Sequence, residues 1–430
     1  MKSLDEIRNE IDIADEEIAA AFRKRMQAVK KIAACKKERG LAVFDEAREE
    51  ELLRRAEKRI EDGELHDYYR LLQRDLMQLS RAYQQKLTGD GRSLSVNLGE
   101  RSYDMIVERG ALSRAGELLD LDRKVLIVTD SGVPAAYFQT VADACREAEI
   151  LTVEPGEGSK SFTTLQNVLR AMLTMKMTRS DCVVAVGGGV CGDLAGFAAS
   201  IYMRGVDFYN IPTTLLSQVD ASVGGKTAIN FEGVKNPVGA FYQPKRVLID
   251  PDVLSTLDVR QFRAGLAEVI KMAATFDAGL FEKIEREPVN GWIDELIVRA
   301  LKLKRGVVEA DEREAGMRKT LNFGHTVGHA IEAKTAPRLL HGECVALGML
   351  PMCGEECRER MRALLKKVGL PTVCPVAPER LTEVILHDKK AASDGIDCVL
   401  VEKIGSFKIV RLTEKEIRAR IAAAFAEDRL

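Results

Sequence analysis

The chain has 430 residues, which is room for two or three domains of about 150 residues with sizeable cores. Its 64 Lys and Arg balance 66 Asp and Glu, so no global cationic field exists to hold a nucleic-acid backbone, and any anionic partner has to be met by local clusters. A hydrophobic share of 46% excludes disorder, and no apolar run approaches the ~18 residues of a membrane span, so the chain reads as cytoplasmic with no membrane partner.

The first proline is Pro134, and before Gly89 the only glycines are Gly40 and Gly63. Residues 1–88 therefore read as helices separated near those two glycines, with 89–93 as a linker. On a first helix from Leu4 to about Lys37, Ile7, Ile18, Arg25 and Lys36 fall within ~20° of one azimuth at ~100° per residue. Two cations thus lie on an apolar stripe. They either snorkel to its edge or, from points ~16 Å apart, converge on a small dianion. Asp45, Arg48 and Glu49 open a second helix, and a third presents Ser80 and Gln84 on one face at i,i+4.

Ile7, Arg8, Asp15, Arg25, Lys36, Asp45, Arg48, Glu49, Ser80 and Gln84 match, in type and order, the small all-helical chorismate mutases, which this module resembles. The resemblance implies that Arg25, Lys36 and Arg48 grip the carboxylates and ether oxygen of chorismate, with Asp45, Glu49, Ser80 and Gln84 completing the pocket. Arg8 lies ~25 Å along the helix from Arg25, too far for one site. In the resembling family this arginine comes from the partner of an intertwined dimer, so a homodimer is expected. A pericyclic rearrangement fits such residues, because it needs a compact substrate conformer and a cation near the ether oxygen but no nucleophile. The alternative is a non-catalytic dimerisation or regulatory module.

Beyond the linker, apolar runs such as Val125–Val128, Cys182–Val186 and Val247–Ile249 alternate with amphipathic stretches in a βαβ rhythm with buried parallel strands. From about Asp252 the pattern turns helical, most clearly over 262–286, 292–313 and 319–334. The strand into Gly187-Gly188-Gly189-Val190-Cys191-Gly192-Asp193 suits a pyrophosphate at a helix N-terminus, although glycine-rich strand ends also serve tight packing. Asp130, Glu157 and Lys160 at two further strand ends offer groups for ribose and phosphate. Pro212 to Asn230, followed by Lys235-Asn236-Pro237, reads as an irregular substrate loop and is not a Walker loop.

His325 and His329 stand at i,i+4 on a helix, and His341 follows close behind, without the HExxH of a metalloprotease. Glu268 and Lys271 interrupt an apolar helix face, and buried charges need a partner or a metal. The nine cysteines form no CxxC pair and read as reduced small hydrophobes.

GGGVxGDLAGF, YxRG at 202–205, DASVGGKTAIN, KNPVGAF, GLAEVIK, LNFGHTVGHAIE and the later HGE, in this order, resemble 3-dehydroquinate synthase from residue 93 to about 412. The resemblance implies that Glu268, His325 and His341 bind a zinc or cobalt ion, with His329 a non-ligand. It places NAD against Asp130, Glu157, Lys160, Gly189, Val190, Cys191, Gly192, Asp193, Thr213 and Thr214, with Lys226 and Lys235 adjoining. It assigns substrate and chemistry to Arg204, Asp220, Lys226, Lys235, Asn236, Lys271, Lys304, Arg318, Asn322, His329 and Lys389. The implied reaction runs through transient oxidation, phosphate elimination, re-reduction, ring opening and aldol closure.

The expected fold is an all-α three-helix module over 1–88, an α/β NAD-binding domain over 94–252 and an all-α metal-binding domain over 253–430. Another sugar-phosphate cyclase, or a metal-dependent polyol dehydrogenase of the same fold, is the alternative. Lys235-Asn236-Pro237 and the Arg318 to Asn322 pattern favour the synthase, because a simple dehydrogenase has no phosphate to hold.

Overall fold

The computed structural model describes residues 2–39, 46–56, 59–60, 62–88, 93–387 and 395–425. The chain divides into two compact units, Met1–Glu100 and Arg101–Leu430.

The first unit holds α1 (Leu4–Arg39), α2 (Glu46–Ala56) and α3 (His66–Thr88), followed by β1 (Ser93–Val96). The expected linker lies outside the described residues apart from Ser93, which opens β1. Asp62 caps a short 3-10 turn into α3 by accepting the Glu64 N–H at 3.0 Å. Val29 and Ala33 of α1 and Met77 of α3 are buried in the core of this unit. Leu4, Ile7, Ile11 and Ile18, along the N-terminal half of α1, are exposed instead.

In the second unit the elements run β2 (Tyr103–Val107), α4 (Ala115–Leu118), β3 (Lys124–Asp130), α5 (Ala135–Asp143), β4 (Glu147–Val153), α6 (Phe162–Thr174), β5 (Cys182–Gly187), α7 (Gly189–Ile201) and β6 (Asp207–Pro212). The hairpin β7 (Lys226–Phe231) and β8 (Val234–Phe241) and the strand β9 (Arg246–Ile249) follow. The strand order β2-β9-β6-β5-β3-β4 is parallel throughout. Side chains alternate across this sheet: Leu126, Val128, Val183 and Ala185 enter one core, and Val125, Ile127, Cys182, Val184 and Val186 enter the other. Both faces are covered, which is why these strands read as continuous apolar runs.

The helical remainder comprises α8 (Val259–Phe276), α9 (Ala278–Arg286), α10 (Ile293–Ala310), α11 (His325–Thr335), α12 (His341–Met352), α13 (Glu355–Lys367), α14 (Pro378–His387) and α15 (Glu414–Ala424). The single helix expected over 262–286 is two. Asp277 leaves helical geometry at φ -144, ψ 86, and its carboxylate accepts the Leu280 N–H at 2.9 Å. The helix expected over 292–313 stops at Ala310, where the Asp311 carboxylate gathers the N–H groups of Ala315, Gly316 and Arg318. Met317–Asn322 is a 3-10 turn, so the third expected helix begins only at His325. Two antiparallel pairs add to the expected architecture. β7–β8 orders much of the stretch read as irregular, and β10 (Ile396–Leu400) pairs with β11 (Lys408–Leu412) within the helical part. Among the described residues no helix is long and apolar enough to cross a membrane.

Candidate active site

A cleft of about 2080 Å³ opens in the second unit at the C-terminal ends of the parallel strands, where ligands of doubly wound sheets bind. Asp130 ends β3, Glu157 and Lys160 follow β4, Gly189, Val190 and Asp193 open α7, and Thr213 and Thr214 follow β6; all line it. Asp130 is held by two donors, the Gly132 N–H at 2.9 Å and the Cys191 thiol at 3.3 Å. Cys191 and Gly192 are buried and do not line the cleft, because at the start of a helix those positions turn back toward the sheet. Burial, reinforced by Asp130, raises the Cys191 thiol well above its usual range. Lys160 is 3% exposed and its ammonium donates to Asp193 at 2.6 Å and to Asn236. Burial raises Asp193 to about 6 despite that lysine.

Next along the cleft come the cations. The Lys304 ammonium donates to the Asp220 carboxylate at 2.7 Å and to its backbone carbonyl. Burial depresses Lys304 to about 8, with Arg318 and Lys271 adding to the fall and Asp220 opposing it. Arg318 is 2% exposed and donates to the Gly224 and Glu312 carbonyls. Lys226, on β7, pairs with Glu314, which also accepts from Asn322 at 3.0 Å. On β8, Lys235 pairs with Glu332, and Asn236 sits in left-handed geometry at φ 56, its N–H bound to Asn230. Arg204 is not brought to this cleft: it is exposed on a turn beyond α7 with φ 68. Lys389 lies outside the described residues.

Glu268, His325 and His341 come from three helices to one point. Glu268, on α8, is fully buried, and neither carboxylate oxygen accepts a well-directed hydrogen bond, although Lys271 makes ion contact with Oε2. Oε1 faces His341 Nε2 at 3.6 Å and His325 Nε2 at 3.9 Å. The other ring nitrogens are occupied: His325 Nδ1 donates to the Phe323 carbonyl at 3.2 Å and His341 Nδ1 to Glu332 at 3.1 Å. Burial, with Lys271 and the other imidazoles, holds His325 well below its usual range and therefore neutral. Burial alone would depress Lys271, but Glu268 and Asp220 outweigh it and its pKa is raised. His329 meets the solvent in the cleft, yet it is recessed, and desolvation and His341 hold it neutral as well. His325, His341 and Glu268 form a group able to hold a metal ion.

Close helix packing sets this geometry. A Cβ on Gly342 would stand 1.9 Å from the Ala264 carbonyl, so α12 touches α8 backbone to backbone directly beside His341. A Cβ on Gly348 would stand 2.0 Å from the Gly324 carbonyl, which seats α12 against the start of α11. Arg260 of α8 clamps Glu343 of α12 bidentately, both bonds at 2.7 Å. Gly342→Ala is therefore expected to destabilise the fold by about 1–3 kcal/mol, read as a lower thermal midpoint; an unchanged midpoint would show that the contact is not tight.

Two residues joined to this site carry no expectation from the sequence. Glu332 stands three positions after His329 in the histidine motif, spacing that could have marked it as facing the same way. Glu314 follows Arg313 in what reads as a surface charge run, and no sequence signal separates it from one.

In the first unit Arg25, half-buried on α1, donates to the Leu76 carbonyl at 2.8 Å and to Ser80 of α3. Burial lowers its pKa. Ser80 and Gln84 are buried, and Lys36 is half-buried. Arg48 is exposed and pairs with Glu51 on α2. Arg8 is exposed and pairs with Asp5 at 3.2 Å. Asp45 and the Glu49 side chain lie outside the described residues.

Residues 150–264 match the family described as 3-dehydroquinate synthase N-terminal, 265–391 that described as 3-dehydroquinate synthase C-terminal, and 7–85 that described as chorismate mutase type II. A 3-dehydroquinate synthase of Geobacter metallireducens is 43% identical over 346 residues, 75% of this chain and 96% of that protein. One from Picosynechococcus is 42% identical over 341 residues, 73% of this chain and 93% of that one. Among solved structures, 2-epi-5-epi-valiolone synthase from Streptomyces hygroscopicus, with NAD+ and Zn2+ bound, is 30% identical with a TM-score of 0.70. It covers 77% of this chain and 99% of its own. A 2-deoxy-scyllo-inosose synthase complexed with carbaglucose-6-phosphate, NAD+ and Co2+ shares the fold at a TM-score of 0.69 and 24% identity, with the same coverage. With 43% identity across nearly the whole of a relative, this chain belongs to the 3-dehydroquinate synthase family and carries a chorismate mutase type II domain ahead of it.

Proposed function

We propose that the second unit converts heptulosonate phosphate to 3-dehydroquinate and phosphate at the cleft, and that the first converts chorismate to prephenate at Arg25, Lys36 and Arg48. One observation carries the synthase reading. His325 and His341, which meet the buried Glu268, share a cleft with the glycine-rich start of α7 and with the buried cations Lys304 and Arg318. A dehydrogenase needs the first two features but not a cluster built for a phosphate.

Two imidazoles and a carboxylate whose buried oxygens accept no hydrogen bond suit a divalent zinc or cobalt ion. The α7 N-terminus, with Asp130 and Glu157, suits a dinucleotide. Bound there, NAD supplies reversible hydride acceptance and the divalent ion supplies Lewis acidity at the substrate oxygen. The remaining steps fall to the chain's own groups. Lys226, Lys304, Arg318 and Asn322 hold the phosphate and stabilise it as it leaves. Lys235 and Asn236, on the hairpin, orient the substrate hydroxyls. Asp220 fixes Lys304, Lys271 balances the charge of Glu268, and neutral His329 can take or return a proton. Arg204 and Lys389 rest on the family resemblance alone.

In the first unit Arg25 and Lys36 hold the dianion in its compact form, and Ser80 and Gln84 line its neutral part. The exposed apolar stripe of α1 supports a homodimer, since a second copy would cover it and deliver its own Arg8. Thiols buried as small hydrophobes, Cys182, Cys344 and Cys353 among them, fit a reducing cytoplasm. Division of the second unit near 252 follows the change from sheet to helices.

Chelation is expected to stop dehydroquinate formation and leave chorismate consumption unchanged; loss of both would contradict two independent chemistries. Lys304 is charged below about pH 8 and loses that charge as pH rises through it. The kcat/KM for the phosphate substrate is therefore expected to fall on the alkaline side near that pH. Lys304→Arg, which stays charged, should move the alkaline limb upward; a limb that does not move belongs to another group.

A further inference from the structure

We infer that Glu332 is a positioning residue for the metal centre, fixing the ring of His341; this rests on the metal-centre reading above. Glu332 lies on α11, seven residues after His325 and three after His329, so all three face the cleft from one side of the helix. Its two carboxylate oxygens have separate partners. Oε2 accepts from His341 Nδ1 at 3.1 Å, and Oε1 accepts from the Lys235 ammonium at 2.8 Å. Lys235 in turn reaches Glu157 at 3.5 Å.

The result is a continuous run of charged groups from Glu157 through Lys235 and Glu332 to His341, whose far nitrogen faces Glu268 at 3.6 Å. A carboxylate on Nδ1 determines which imidazole nitrogen is free of its proton, and it sets the ring's rotation. It also makes the free nitrogen a better donor to a cation. Lys235 prevents the carboxylate from swinging away, since it holds the second oxygen.

His329, Glu332 and His341 are themselves close enough to hold an ion. Glu332 is the weaker candidate for a ligand, however. Both its oxygens already accept from donors that a cation would have to displace, whereas Glu268, though Lys271 contacts its Oε2, turns an Oε1 with no donor toward the two imidazole Nε2 atoms.

The test is a Co2+ titration of the metal-free full chain, followed by the visible absorption of bound cobalt, with wild type, Glu332→Gln, Glu332→Ala and Glu268→Gln. Glu332→Ala is expected to weaken cobalt binding about 10–100-fold. Glu332→Gln, which keeps an acceptor for Nδ1 but not the charge, should fall between it and wild type, and the cobalt bands should shift in both. Glu332→Gln is near-isosteric, so it carries the result if the alanine variant fails to fold by circular dichroism. Wild-type affinity in both variants, or in the glutamine variant alone when the other is unfolded, would overturn the inference while leaving the metal centre standing. A loss as complete as that of Glu268→Gln would make Glu332 a ligand and overturn it too. If wild type and Glu268→Gln bind cobalt equally, the metal-centre reading itself has failed.

Discussion

Glu268→Gln is expected to lower dehydroquinate formation by about 10³-fold or more, the equivalent of ~4 kcal/mol of lost transition-state stabilisation, and to leave chorismate turnover unchanged. The carboxylate is fully buried, is the one carboxylate of its three-donor group, and offers two oxygens that accept no well-directed hydrogen bond. The amide has the same shape but is a poor ligand. The substitution has a second consequence. Lys271 is 2% exposed and makes ion contact with Glu268, so neutralising its partner leaves an ammonium in an apolar helix face. Breaking a buried pair from one side costs about 3–5 kcal/mol, so the thermal midpoint should drop as well. The double variant Glu268→Gln with Lys271→Met separates the two effects: it should regain stability and remain without synthase activity. Substantial synthase turnover in folded Glu268→Gln would remove Glu268 from the centre.

Arg25→Ala has the largest expected effect on the other reaction, a fall in chorismate consumption of about 10³-fold with dehydroquinate formation untouched. Arg25 is half-buried, and Ser80 and the Leu76 carbonyl hold its guanidinium in one orientation. A planar fork locked in this way is prepared for a carboxylate without further ordering. Arg25→Lys keeps the charge and loses the fork, so it should recover little of the activity. In Arg25→Ala the Leu76 carbonyl keeps the Ser80 hydroxyl as a donor at 2.6 Å, so the melting curve should move little and the loss should fall on turnover. Chorismate turnover that survives Arg25→Ala would favour the reading of the first unit as a dimerisation arm.

Much of the site was legible because its signals are local. Gly187 to Asp193 follow a strand whose apolar run is continuous, and that context alone marks a strand-to-helix turn. His325 and His329 share a helix face by spacing, and Arg25 stands out as a cation on an apolar stripe. What stayed hidden depends on contacts distant in sequence. Asp277 reads as one more polar position in a helical pattern, and only its φ and its bond to Leu280 show that it ends one helix and starts another. The stretch around Lys226 and Lys235 lacks alternation, since glycines and polar groups displace it, yet cross-strand pairing orders it as a hairpin. Glu332 and Glu314 carry no role from the sequence alone. Their roles come from Lys235, His341, Lys226 and Asn322, all brought to them by the fold.

The second unit is proposed to remove phosphate through an oxidation it later reverses. The most direct test is phosphate release from heptulosonate phosphate by the metal-loaded full chain, with NAD far below the substrate concentration and NADH absorbance recorded alongside. Many phosphates should be released per NAD, with no accumulation of NADH. NADH rising in step with substrate loss, without phosphate release, would contradict the proposal and make the second unit a dehydrogenase.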